Sequence, residues 1–182
     1  MIATIVTHTD ELQQIVELSH KNLRGNIPLN EHETQGFITW DYSFDLLKKM
    51  NAQQPHIIVK ENNKVIGYAL VALKTASHFH TDLEAMIQQL ERITYNGKKL
   101  SEYRYYVMGQ ICIDHHYRGK GVFKMLYTHH KKLFEEEYDF VVTEISTRNN
   151  CSLRAHEKLG FTTICTYTDA LDEWNVVVWD WK

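Results

Sequence analysis

HYRGKGVFKML, residues 116–126, sets two glycines and three basic side chains between an apolar run that ends at Ile113 and a stretch with helical spacing. A plain helix start would favour Ser, Thr or Asp. Gly119 and Gly121 instead leave backbone amides uncovered where a helix begins. Those amides have no intrahelical acceptor and carry about half a positive charge. With no Cβ in the way, a phosphate can reach them. Arg118, Lys120 and Lys124 add positive charge, so the stretch reads as a pyrophosphate cradle between a strand and a helix.

Spacing separates this stretch from two other phosphate-binding loops. A P-loop needs G-x-x-x-x-G-K-[ST], and neither that spacing nor the hydroxyl is present. A dinucleotide fingerprint needs a third glycine where Lys124 stands. A flexible turn opening an ordinary helix stays open on this stretch alone.

The rest of the chain sets the frame. At 182 residues it suits one domain, and its net charge of −3 gives no overall basic field for nucleic acid. Three cysteines without paired spacing fit a reducing cytoplasm. The first residues lack the basic and apolar regions of a signal peptide, and no apolar run reaches the ~18 residues of a membrane helix. The chain therefore reads as soluble and intracellular, with any anion site local.

Working outward, periodicity predicts a strand at residues 2–6 and a helix over 10–23 capped by Thr7 with Asp10. A helix follows near 43–50, and a hairpin joins strands 56–60 and 65–73. Thr81-Asp82-Leu83-Glu84 predicts a helix running to about 92, and Asn96-Gly97 a tight turn. Strands are expected at 103–113, 140–146, 162–167 and 175–181, with helices at 121–136 and 151–159, the last closed by Gly160. Interleaved strands and helices indicate one mixed α/β sheet. Residues 75–101 read as a helical insertion, fit for a pocket wall or a contact in a homodimer.

A second motif follows about thirty residues after the glycine loop. DHHYRGKGVFKML and NNCSLRAHEKLGF resemble the GNAT superfamily of acyl-CoA-dependent N-acetyltransferases, through its Q/R-x-x-G-x-G/A signature and its N-x-x-[AS]-x-x-x-Y-E-K-L-G-F segment. The resemblance is specific over residues 107–161. It implies a single α/β domain whose central sheet is mixed but mostly antiparallel, is flanked by helices, and has splayed central strands. It implies acetyl-CoA as acyl donor, with coenzyme A as product. Ile111, Cys112 and Ile113 would meet the pantetheine arm and acetyl group. Arg118, Gly119, Lys120, Gly121, Val122, Phe123 and Lys124 would hold the pyrophosphate, and Asn150 would reach the cofactor from the side.

The implied reaction moves an acetyl group to a primary amine on a small molecule or protein by direct attack. Backbone N–H groups near Ile113 would polarise the carbonyl. Two positions depart from the pattern. His116 replaces Gln or Arg, and His156 stands where a Tyr often donates a proton to the leaving thiolate. His156 is then a candidate general acid or a bystander. Glu144, an acid in an apolar strand, is a candidate general base, with Glu102 and Tyr105 as rivals. Phe37, Trp40, Tyr42 and Phe44 precede the second helix, in a region that in such folds borders the acceptor pocket. No zinc-like set completes the scattered histidines, so no metal is expected. The other class is a non-catalytic acyl-CoA-binding or regulatory module, motivated by His156. Neither class calls for nucleic acid or a membrane.

Overall fold

Residues 65–72 read Val-Ile-Gly-Tyr-Ala-Leu-Val-Ala, apolar at every position, the pattern of a strand covered on both faces. In the computed structural model, which describes residues 1–182 with the side chains of residues 33 and 34 excepted, every one of them is buried.

In chain order the elements are β1 (Ile2–Ile5), α1 (Thr9–Lys21), α2 (His32–Gln35), α3 (Phe44–Gln53), β2 (Ile57–Glu61), β3 (Lys64–Ala72), α4 (Thr81–Arg92), β4 (Thr94–Tyr95), β5 (Lys98–Lys99), β6 (Tyr105–Ile113), α5 (Val122–Phe134), β7 (Phe140–Ser146), α6 (Asn150–Leu159), β8 (Thr162–Thr168) and β9 (Glu173–Asp180). Seven strands form one sheet, ordered β1-β2-β3-β6-β7-β9-β8, and β4 pairs with β5 in a separate hairpin. All neighbours in the large sheet run antiparallel except β6 and β7.

Alternation sorts the sheet into two packed faces. Ile58, Tyr68, Leu70, Val107 and Val142 join Leu12, Ile15 and Leu47 of α1 and α3 on one side. Ile57, Val59, Tyr106 and Val141 join Val122, Leu126 and Tyr127 of α5 on the other. Burying each such side chain contributes about 1.5–3 kcal/mol, which is why the sheet can carry helices on both faces. No helix among the described residues is long and apolar enough to cross a membrane.

The helix starts differ from expectation in two places. At α1 the Glu11 carboxylate accepts from the N–H groups of Thr7 and His8, so the cap begins at His8 and not at Thr7 with Asp10. At α4 the imidazole Nδ1 of His80 accepts from the Asp82 N–H at 3.2 Å and takes the role expected of Thr81. An unprotonated imidazole nitrogen is a competent acceptor, as a capping carboxylate is.

Candidate active site

The glycine loop lies between β6 and α5. Gly119 has φ 73° and Gly121 has φ 83°, a left-handed backbone that side chains disfavour, and a Cβ on either would meet nothing within 4 Å. Gly121 caps α5, and the N–H groups of Gly121, Val122, Phe123 and Lys124 find no protein acceptor among the described residues. The lysines stand exposed around them, Lys120 with its Nζ 5.3 Å from the Tyr117 ring.

Arg118 is bonded to the protein on several sides. Its Nε donates to the Ile113 carbonyl at 3.2 Å, one terminal nitrogen to Gln35 (backbone O and Oε1, each 2.7 Å), and the other to Asn22 Oδ1 at 2.7 Å. The guanidinium is thus a staple between the loop and the segment after α1. Four of its five N–H donors are matched to protein acceptors.

Beside the loop the central strands part. β6 and β7 pair only over Tyr105–Val107 against Phe140–Val142. β3 opposes β6 with a register shift, Ala69 facing Ile111 but Val71 facing Met108, so β6 holds an extra residue at Gly109–Gln110. Beyond the shift its edge toward β7 lacks a partner strand. The gap opens into a cavity of about 750 Å³, walled by β6 residues Val107 to Ile111 and β7 residues Thr143 to Ser146. Ile111 reaches it. Cys112 points into the core at 6% exposure, with burial pushing its thiol up to about 12, and Ile113 contributes its carbonyl to Arg118.

Glu144 stands on the cavity wall and accepts from the Tyr167 hydroxyl at 2.8 Å. Burial raises its carboxyl to about 7, against the lowering effect of that hydrogen bond. The rivals lie elsewhere. Glu102 is exposed and caps Lys99, while Tyr105 is buried in a stack on Phe140. Neither lines the cavity.

His156 also lines the cavity, at 1% exposure. Its Nδ1 faces the Ser152 carbonyl at 2.8 Å, an acceptor only, so Nδ1 carries the proton and Nε2 accepts from the Tyr127 hydroxyl at 2.7 Å. Burial lowers its pKa to about 4, with the Ser152 bond opposing. At neutral pH it is an uncharged, doubly anchored ring, an environment that opposes the acid role. Phe123 lies edge-on to it, with ring centroids 5.0 Å apart.

Asn150 is exposed at the start of α6. Its neighbour Asn149 lines the cavity, donates to the Phe37 carbonyl at 2.9 Å and accepts from the Ser152 N–H. Counting the second motif back from Gly160 sets its Asn on 149, one position before Asn150. The other wall is built by Phe37, Trp40 and Tyr42, by Asp82, Met86 and Gln89 of α4, and by the β8–β9 turn at Asp169 to Leu171. Phe44 packs instead against the core beside α1 and α3.

Among solved structures, similar folds include a chain of the NatC complex bound to Gag peptide and CoA (14% identity, TM-score 0.65, covering 100% of this chain and 98% of that one). Others are Ard1 from Thermoplasma volcanium (13%, 0.66, 99% and 98%) and the ribosomal-protein-S18-alanine N-acetyltransferase from Escherichia coli (13%, 0.59, 98% and 92%). At these identities the likeness is one of fold. No curated protein matches the sequence. The model of the acetyltransferase (GNAT) family matches residues 26–161, and that family uses acetyl-CoA as its acyl donor. Three-quarters of the chain, including the glycine loop, the splayed strands and α6, falls within that match, and the chain belongs to the GNAT acetyltransferase family.

Proposed function

We propose that the protein moves the acetyl group of acetyl-CoA to a primary amine, on a small molecule or a protein, by direct attack of the nitrogen on the thioester. The observation that carries the reading is Glu144, a carboxyl raised to about 7 on the wall of the cavity between the parted strands. A base with that pKa suits proton transfer near neutrality.

The roles follow from the geometry. The unpartnered amides from Gly121 to Lys124, with Lys120 and Lys124, would hold the diphosphate. Ile111 and the free edge of β6 would run beside the pantetheine arm, and N–H groups on that edge would donate to the developing oxyanion. The N–C bond forms, Glu144 takes the proton released by the attacking nitrogen, and the C–S bond breaks. A thiol pKa of about 8.5 makes the sulfur a tolerable leaving group, so the reaction does not require His156 to be an acid. Its neutral ring serves to fix α5 against α6 through Tyr127. The Cys112 thiol, pushed up to about 12, stays protonated, which favours direct attack over an acyl-enzyme there. Free cysteines support a reducing compartment such as the cytoplasm.

The test is release of free thiol from acetyl-CoA with and without a panel of amines, alongside a thermal-shift titration with acetyl-CoA. Amine-dependent release supports the enzyme. A thermal shift without release under any amine would favour the non-catalytic acyl-CoA-binding module.

A further inference from the structure

The acceptor side of the cavity has a charge pattern of its own. Its lining carries three carboxylates, Asp82, Glu144 and Asp169, and among the described residues no lysine or arginine. Asp172, three residues after Asp169, is paired with Arg148 at 2.6 Å and with Arg24 at 3.5 Å. The acids come from three elements. Glu144 lies on β7, Asp82 in the first turn of α4, and Asp169 in the β8–β9 turn, where it accepts from the N–H groups of Leu171 and Asp172. Asp82 keeps its carboxylate 61% exposed.

The remaining surface suits the same charge. Trp40 and Tyr42 lie with ring centroids 4.2 Å apart on the wall, and Tyr167 joins them there. Aromatic faces attract cations, more strongly where water is scarce. An acceptor bearing a carboxylate would meet like charge on three sides with no cation to balance it, a repulsive element that excludes it. Since Glu144 is engaged with the reacting nitrogen, Asp82 and Asp169 are left for a second positive centre.

Resting on the acetyl-transfer reading, we propose that the acceptor is a small organic dication, a diamine or polyamine. Its primary amine would lie at Glu144 and its second protonated nitrogen would face the acidic wall that carries Asp82 and Asp169, and it would carry no carboxylate.

The test compares amines of one chain length in the thiol-release assay. Putrescine should exceed butylamine in kcat/KM by about tenfold, which is 1.4 kcal/mol. Ornithine, which adds a carboxylate to the putrescine skeleton, should fall to butylamine's level or below. Asp82→Asn should lower the ratio of the putrescine to the butylamine kcat/KM by about threefold, since one partly exposed carboxylate has a modest effect. Butylamine or an alanine-initiated peptide matching putrescine would overturn the dication, as would Asp82→Asn lowering both amines alike; either result keeps the acetyltransferase. No thiol release with any amine, despite a thermal shift with acetyl-CoA, would bring down the acetyl-transfer reading and the dication with it.

Discussion

Replacing Glu144 by Gln should make the protein more stable and nearly inactive, with both effects growing with pH. The Glu144 carboxyl is raised from 4.5 to about 7, so the folded state binds its proton more tightly than the unfolded chain does. The sign follows from linkage. Below pH 4.5 the group is neutral in both states and costs nothing. As pH rises from 4.5 to 7 the unfolded chain ionises first, and the folded state loses stability until both are ionised. At about 1.4 kcal/mol per pH unit over that window, the loss is on the order of 3 kcal/mol above pH 7. Gln keeps the shape and can still accept from the Tyr167 hydroxyl, but it carries no charge to desolvate. Denaturant unfolding of both proteins at pH 4 and pH 8 should give nearly equal stability at the lower pH. At pH 8 the variant should lead by about 3 kcal/mol, or ~6–12 °C in Tm for a chain of this size. Acetyl transfer at pH 8 should fall about 10²–10⁴-fold, the usual contribution of a positioned base. The inflection near pH 7 in the parent's rate, expressed against neutral amine, should vanish. A variant that is less stable at pH 8, or one that keeps the parent's rate, would refute the assignment.

The other predictions concern the cradle and its supports. Gly121→Val should weaken coenzyme A binding at least tenfold in calorimetry, and the strain of a side chain at positive φ should cost about 1–2 kcal/mol in unfolding. Unchanged affinity in the folded variant would remove the cradle. Arg118→Met should cost about 1–3 kcal/mol of stability by leaving Asn22 and Gln35 without their donor, while the salt dependence of coenzyme A binding stays that of the parent. A flatter salt dependence would mean that the guanidinium meets phosphate after all. Asp172→Asn should cost about 1–3 kcal/mol at pH 7, since burial disfavours the Asp172 charge but bonds from Arg148 and Ser146 outweigh it and hold the carboxyl below 3.8. That contribution is present above pH 3.8 and lost as pH falls below it, so parent and variant should converge in acid unfolding.

The fold was legible where one local signal sufficed. The unbroken apolar run at 65–72, the Asn96-Gly97 turn and the strand over 140–146 are set by side-chain type and turn chemistry within a few residues. The glycine loop was legible for the same reason, since its left-handed backbone and uncovered amides follow from the side chains it lacks. The interior of the candidate site was less so. Glu144 stood out as an acid among apolar neighbours, but its raised pKa comes from burial by the folded sheet, opposed by a bond from Tyr167, distant in sequence and brought near by the β7–β9–β8 pairing. Arg118 carried the right charge in the right motif, and only the tertiary fold, which brings Asn22 and Gln35 to it, turned that charge into a staple. The motif's Asn was a matter of register, where Asn149 and Asn150 are indistinguishable by type and a single residue exchanges a buried position for an exposed one.

The segment from Asn22 to Tyr42 explains how so little regular structure can wall the candidate cavity. Arg118 holds it at Asn22 and Gln35, Asn149 at the Phe37 carbonyl, and Gln110 at the Trp40 carbonyl at 2.7 Å. Arg24 joins it to Asp172 on the β8–β9 turn. Each tether comes from a different part of the site: the glycine loop, the cap of α6, the bulge of β6 and the acceptor-side turn. Every tether except the Arg24 pair uses a short bond to a neutral acceptor, so the wall is positioned by direction more than by charge. A segment without a strand of its own is thereby fixed by the elements whose ligands it must separate, and moving any of them moves the wall. The sequence between α1 and α3 can for that reason be irregular and still define a pocket, provided that its carbonyls and its three cavity aromatics keep their places.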